Sequence, residues 1–301
     1  MRRFAFETVD VFTERQFGGN PLAVFTDARG LGDGEMQALA AEFNLAETTF
    51  VLPPEDPANT ARIRIFNRTA EMPFAGHPSV GTAYVLARRG RHDGGVLRLE
   101  APAGLIRVAM ETDEAGRFVG GEVEAPQPLS VGGEVAPELI AACLGLDPAE
   151  VLTAAHPPSI VSVGVKFVLA ELTREALDRC VPDVSAFRRA VALTPSVEGR
   201  FSLHVYARDD DPELLHARMF APLANNYEDP ATGSANAPLA ALLLSLGEAA
   251  TARFTVRQGE RMGRPSLLRL TARRAEDGLR ATIAGRCRPV LAGEATLDAV
   301  G

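Results

Sequence analysis

The stretch Glu228-Asp229-Pro230-Ala231-Thr232-Gly233-Ser234-Ala235 constrains this chain more than any other. It runs without a break into Asn236-Ala237-Pro238-Leu239-Ala240-Ala241-Leu242-Leu243-Leu244, which is apolar almost all round. A helix without a polar face has to be enclosed by other structure, so these residues predict a central buried helix. Asp229 is expected to cap its free backbone donors. Pro230 has no N–H to leave unpaired, and Gly233 and Ser234 let a ligand come close to the backbone. A buried helix start of this kind is a pre-set anion site.

The same arrangement occurs at Phe74-Ala75-Gly76-His77-Pro78-Ser79-Val80-Gly81, which leads into Thr82-Ala83-Tyr84-Val85-Leu86-Ala87. The two starts lie half a chain apart and read as an internal repeat, one in each half. At 301 residues the chain is long enough for two domains, since single cores stop growing at roughly 250–300 residues. The segment 111–135, rich in Gly, Pro and acidic residues, is the expected crossover. It sets a first domain at 1–118, with 288–301 returning to it, and a second at 119–287.

Strand-like runs are expected at Phe4 to Phe12, Leu22 to Phe25, Leu45 to Val51, Arg62 to Phe66, Val96 to Glu100 and Leu105 to Met110. In the second half they fall at Ile160 to Leu172, Phe201 to Ala207, Phe254 to Arg257, Leu267 to Thr271, Leu279 to Ile283 and Pro289 to Leu297. Helices are expected at Gly34 to Asn44, where Met36, Leu39, Ala40 and Phe43 share a face, and at Pro137 to Leu144, Thr173 to Cys180 and Val184 to Val191. Many strands with one wholly apolar helix per half predict an α+β fold. Two similar domains, each an open β-barrel-like sheet around its central helix, would place a site between them, with two helix starts able to hold one anion.

Charge excludes some partners. A net charge of −8 and a pI near 5.3 argue against nucleic acid and anionic membranes, which call for a basic face. No apolar stretch reaches membrane-span length, and Glu7 and Asp10 interrupt the N-terminus before a signal-peptide core could form, so a cytoplasmic protein is expected. Cys143, Cys180 and Cys287 are odd in number and far apart, as reduced thiols are, and the histidines at 77, 92, 156, 204 and 216 are scattered. Neither metal nor cofactor is expected. Phosphate-loop, dinucleotide, nucleophile-elbow and zinc-protease motifs are all missing from the sequence.

What remains is a small set of polar residues at predicted junctions. Asn20 points an amide into a cleft or satisfies its turn. Glu47, between helix and strand among hydroxyl side chains, meets a ligand or lies solvated on the surface. His77, in a helix start that disfavours imidazolium, is a neutral hydrogen-bonding group or a core histidine. Glu47, His77 and Asp229, with the backbone donors around Gly76 and Gly233, suit moving a proton beside a carboxylate-bearing carbon.

At these residues the sequence resembles the phenazine-biosynthesis, PhzF-like family, which shares its fold with diaminopimelate epimerase and proline racemase. The resemblance spans nearly the whole chain. It rests on Asp10-Val11-Phe12 with Gly19-Asn20-Pro21, Asn44-Leu45-Ala46-Glu47-Thr48, Phe74-Ala75-Gly76-His77-Pro78, Glu228 to Ser234, and Gln258-Gly259-Glu260-Arg261-Met262-Gly263-Arg264-Pro265. It implies two similar domains with a substrate cleft between them, a homodimer, and a cofactor-independent isomerase acting on a small carboxylated substrate. By that similarity Glu47 is the acid/base residue, with His77 and Asp229 beside it, and Asn20, Gly76, Gly233 and Ser234 hold the substrate. Racemases and epimerases of the fold use two cysteines, whose positions here read Ala75 and Thr232, so a two-thiol mechanism has no counterpart. The alternatives are a non-catalytic small-ligand-binding or structural protein on the same fold, and lyase or epimerase chemistry on the same apparatus.

Overall fold

The computed structural model describes residues 1–197, 199–224 and 226–298. The chain divides into two units, Met1–Glu124 with the chain from Ala284 on, and Ala125–Ile283. Each is α+β, and the two share most of their element order.

In the first unit β1 (Arg2–Val11) pairs antiparallel with β2 (Asn20–Phe25). Helix α1 (Asp33–Phe43) then carries the chain to β3 (Glu47–Leu52), parallel to β2. Asn44 ends α1 in the left-handed region, as a helix-terminating Asn does. A hairpin leads to β4 (Ala61–Phe66), and the short β5 (Glu71–Met72) folds back on it. Helix α2 (Gly76–Arg88) is the second crossover, reaching β6 (Val96–Ala101) parallel to β4. Strands β7 (Gly104–Thr112) and β8 (Phe118–Glu124) continue antiparallel. The last strand of the chain, β18 (Gly278–Leu297), pairs with both β1 and β8.

The ring β1, β2, β3, β4, β6, β7, β8, β18 is therefore closed, not open as expected. The reason is β18, which takes the edges that β1 and β8 would otherwise expose. Helix α2 packs against β1, β2, β3, β6, β7 and β8 and is buried from Gly76 to Ala87. Gly81 allows that approach, because a Cβ there would lie 2.7 Å from both Leu22 Cδ2 and Val11 Cγ2. The other sheet face carries Phe25, Phe50 and Phe66 under Met36 and Ala40 of α1, with Phe25 and Phe50 stacked at 4.9 Å. Each such fully buried side chain is worth about 1.5–3 kcal/mol.

The second unit repeats the plan. After β9 (Ser130–Glu134), α3 (Pro137–Leu144) and β10 (Val151–Leu152), the hairpin of β11 (Ser159–Ser162) and β12 (Lys166–Leu172) forms. Helices α4 (Arg174–Arg179) and α5 (Val184–Leu193) cross over to β13 (Leu203–Arg208), parallel to β12. Strand β14 (Leu214–Ala221) returns antiparallel, and β15 (Asn226–Asp229) folds back on it as β5 does on β4. Helix α6 (Gly233–Ser245) then leads to β16 (Thr251–Gln258), parallel to β14, and β17 (Ser266–Ala275) follows. Apart from Ser234 and Ser245, α6 is buried throughout. Ile140, Phe187 and Phe201 anchor a separate core beneath α3 and α5.

Three expectations need correcting. The segment 111–135 contains the division between the units, at Glu124 and Ala125, but it also holds the strands β8 and β9. Its glycines read as loop, but a Cβ on Gly120 would lie 2.1 Å from the Gly285 carbonyl, so close strand approach put glycine there. The run 160–172 is two strands, and β14 went unforeseen although Leu215-His216-Ala217-Arg218-Met219 alternates apolar and polar. The cap position of α6 is Thr232, whose side chain makes no capping bond, while Asp229 ends β15. Among the described residues no helix is long and apolar enough to cross a membrane.

Candidate active site

Two clusters of polar residues surround the starts of the central helices, one in each unit. In the first unit they are set by strand register. Leu22 lies opposite Glu47 across the parallel β2–β3 pair, and Leu22 faces α2 at Gly81. Alternation puts Asn20 and Glu47 on that same face, Asn20 two residues ahead of Leu22 and Glu47 level with it. Asn20 is fully buried as the first residue of β2, so it is a strand residue and not part of the turn. Glu47 opens β3 with a side chain only 18% exposed, which removes the solvated-surface alternative.

His77 is the second residue of α2, and its Nε2 lies 3.4 Å from Glu47 Oε2. That nitrogen is buried and makes no hydrogen bond. Burial alone pushes the imidazole down from its ordinary value to about 3, so His77 is neutral at physiological pH. The expected neutrality is present, with desolvation by burial as its cause. A neutral imidazole can offer Glu47 a hydrogen bond without adding a cation that would weaken it as a base. Ala75 is the N-cap of α2, and Gly76 is the helix's first, buried residue.

In the second unit Asp229 is buried at the end of β15. Its Oδ1 accepts from Asn226 Nδ2 at 3.0 Å, and its Oδ2 accepts a short hydrogen bond from the Thr232 hydroxyl. Gln258, at the end of β16 and 1% exposed, is the hub. Its Nε2 donates to the Asp229 carbonyl at 2.8 Å and to Thr232 Oγ1 at 3.0 Å, while its Oε1 accepts from Asn236 Nδ2 at 2.8 Å and from the Thr232 N–H at 3.3 Å. Asn236 Nδ2 also donates to the Thr232 carbonyl at 2.9 Å, and its Oδ1 faces His204 Nε2 at 3.2 Å. Gly233 and Ser234 open α6, Gly233 buried and Ser234 half-buried. Pro238 supplies no helical N–H to the Ser234 carbonyl.

Sequence reasoning missed Thr232, Asn236, Gln258 and His204 as a working set. A signal existed: Asn236 is one polar side chain in an apolar helix, and a buried amide needs partners. Gln258 heads the fifth motif quoted above, and Gly259 holds that motif against the helix start. At φ +76°, its added Cβ would lie 2.4 Å from the Arg264 carbonyl and 2.6 Å from that of Pro230. Among the described residues, no group of three His, Cys, Asp or Glu side chains is spaced to hold a metal ion. All three cysteines are free and buried, and neither helix cap is a cysteine, the two being Ala75 and Thr232.

A family model described as phenazine biosynthesis-like protein, PhzC-PhzF, matches residues 9–293. An uncharacterized isomerase of Mesorhizobium japonicum is 40% identical over 269 residues, covering 87% of this chain and 88% of the relative. The trans-2,3-dihydro-3-hydroxyanthranilate isomerase of Pseudomonas chlororaphis is 35% identical over 285 residues, covering 92% of this chain and 94% of its own. In fold, the chain is similar to a phenazine biosynthesis protein of the PhzF family from Bacillus anthracis, with a TM-score of 0.87 at 24% identity, covering 99% of this chain and 100% of that one.

Proposed function

The chain belongs to the phenazine biosynthesis-like, PhzF family and is an isomerase of that family, and from this premise we propose that it moves a proton within one small carboxylated substrate, with Glu47 as the single acid/base group. The observation that carries this reading is the Glu47 carboxylate in a largely buried position, 3.4 Å from an imidazole that burial holds neutral. A carboxylate so placed can take a proton from a carbon acidified by a neighbouring unsaturated group. The electron pair of the broken C–H bond shifts into the conjugated system, and the protonated Glu47 returns the proton to another atom of the same molecule. The formula of the substrate is unchanged and nothing else is consumed. Burial favours the neutral acid once formed, which suits the return step.

In this reading His77 Nε2, 3.4 Å from Glu47 Oε2, closes to a hydrogen bond during the reaction and tracks the carboxylate's change of charge. Asn20 and Gly76 help hold the substrate beside them. Asp229, Gly233 and Ser234 are assigned the substrate's polar groups, Asp229 as a hydrogen-bond acceptor and the helix start as a donor. Ala75 and Thr232 at the two helix caps support the one-carboxylate mechanism, since neither can act as a thiol base. Relatives named for a cyclic amino acid with a conjugated ring make compounds of that class the first to test. A homodimer in the cytoplasm belongs to the same reading, and light scattering on the eluted protein checks the assembly.

The test is an NMR screen of small cyclic and amino-acid carboxylates in D₂O with wild-type protein and Glu47→Gln. Isomerisation or deuterium exchange with wild type alone supports the reading. Binding without exchange in either protein overturns it and favours a ligand-binding role.

A further inference from the structure

We infer that His204, Asn236, Gln258 and Thr232 form a one-directional hydrogen-bond chain that keeps the Thr232 hydroxyl proton on Asp229, which makes them positioning residues for that carboxylate. The inference rests on the assignment of Asp229 above.

Backbone groups settle the direction. The Thr232 carbonyl can only accept, so the Asn236 atom 2.9 Å from it is the amide nitrogen. That leaves Asn236 Oδ1 against His204 Nε2, which must then carry a proton. The Asp229 carbonyl, 2.8 Å from Gln258, likewise requires the nitrogen of that amide. The Thr232 N–H, which can only donate, requires the Gln258 oxygen on its side. Both amides are thus fixed without reference to each other, and they agree, because Asn236 Nδ2 donates to Gln258 Oε1 at 2.8 Å. Gln258 Nε2 then donates to Thr232 Oγ1, and the hydroxyl proton is left for Asp229 Oδ2.

His204 fits the scheme at its far end. It is fully buried on β13, and burial pushes its imidazole down to about 4, so it carries one proton, on Nε2. Its Nδ1 is buried with no hydrogen-bond partner, as a bare lone pair would be. Every member of the chain is neutral. The chain therefore brings no charge of its own to Asp229 and reaches it through the Thr232 hydroxyl as a neutral donor.

Two substitutions break the chain at different atoms. Thr232→Val removes the hydroxyl, and Gln258→Glu replaces the donor with an acceptor that draws the Thr232 proton away from Asp229. Each is expected to lower kcat/KM roughly ten- to a hundred-fold, the scale of one hydrogen bond to a charged group, and the double variant loses no more than either single one. Thr232→Ser retains activity. NMR of the wild-type protein should show His204 protonated on Nε2 between pH 5 and 8, together with a slowly exchanging Thr232 hydroxyl proton that both substitutions abolish. A proton on His204 Nδ1, or independent additive losses, overturns the chain, and the first of these needs no variant to fold. Asp229→Asn with wild-type turnover overturns instead the role of Asp229, and the NMR signature still decides the direction of the chain.

Discussion

His77 Nε2 and Glu47 Oε2 stand 3.4 Å apart, one at the start of a buried helix and the other at the start of a strand beside it. They are 30 positions apart in the chain, through a hairpin and a short return strand, yet the fold brings them together. The pair combines a base that can carry charge with a partner that burial keeps uncharged.

The first prediction concerns the carboxylate. Glu47→Gln keeps the shape and the hydrogen-bonding reach of the side chain, so folding should be unaffected, with a melting temperature close to wild type. Turnover should fall roughly 10² to 10⁴-fold, the usual scale of acid/base catalysis. Steady-state kinetics and a thermal melt on the same preparation check both halves, and wild-type rates would refute the assignment.

Acid should destabilise the fold through two histidines. His77 and His204 have folded-state values of about 3 and about 4, below the ordinary 6.5, because burial disfavours the cation. The unfolded chain therefore binds more protons between those values and 6.5, and the stability they contribute is complete above about pH 6.5 and lost as pH falls through that window. For His204 the full effect is on the order of 3 kcal/mol. Urea midpoints measured from pH 7 to pH 4 should drop less steeply for His204→Gln than for wild type. No inflection from His77 should enter the pH–rate profile between pH 6 and 8.

One substitution should have opposite signs at two helical glycines. Gly81→Ala gains about 1 kcal/mol of helix propensity but forces a methyl to 2.7 Å from Leu22 and Val11, and overpacking costs typically 1–3 kcal/mol. The net effect should be destabilising. Gly34→Ala, in α1 with nothing within 4 Å of the added carbon, should stabilise by about 0.5–1 kcal/mol. Chemical denaturation of the two variants decides.

Thiol reagents should leave the native enzyme alone. Burial raises the Cys143 and Cys180 thiols to about 12 and pushes Cys287 up further, so thiolate is scarce and access is closed. Iodoacetamide should label the protein only after unfolding and should not reduce its activity. Rapid inactivation of folded protein would point to a thiol in the chemistry.

The sequence by itself determined the two buried helices, because an apolar run such as Ala235 to Leu244 has no stable place except inside a sheet. It determined their glycine-bearing starts, the α1 face of Met36 and Ala40, and the terminating Asn44, since each of these signals is local. A strand whose pattern is broken for a tertiary reason was illegible: β8 carries Gly120 because β18 passes close by. The partial burial of the Glu47 carboxylate was likewise undecided in the sequence, which could only set it at a junction. Tertiary structure decided it, through the register that faces Glu47 toward α2. The polar chain from His204 to Asp229 belongs wholly to the folded state. Its members come from β13, α6, β16 and β15, and a hydrogen bond's direction depends on which backbone donor or acceptor stands opposite, a fact that exists only once the chain has folded.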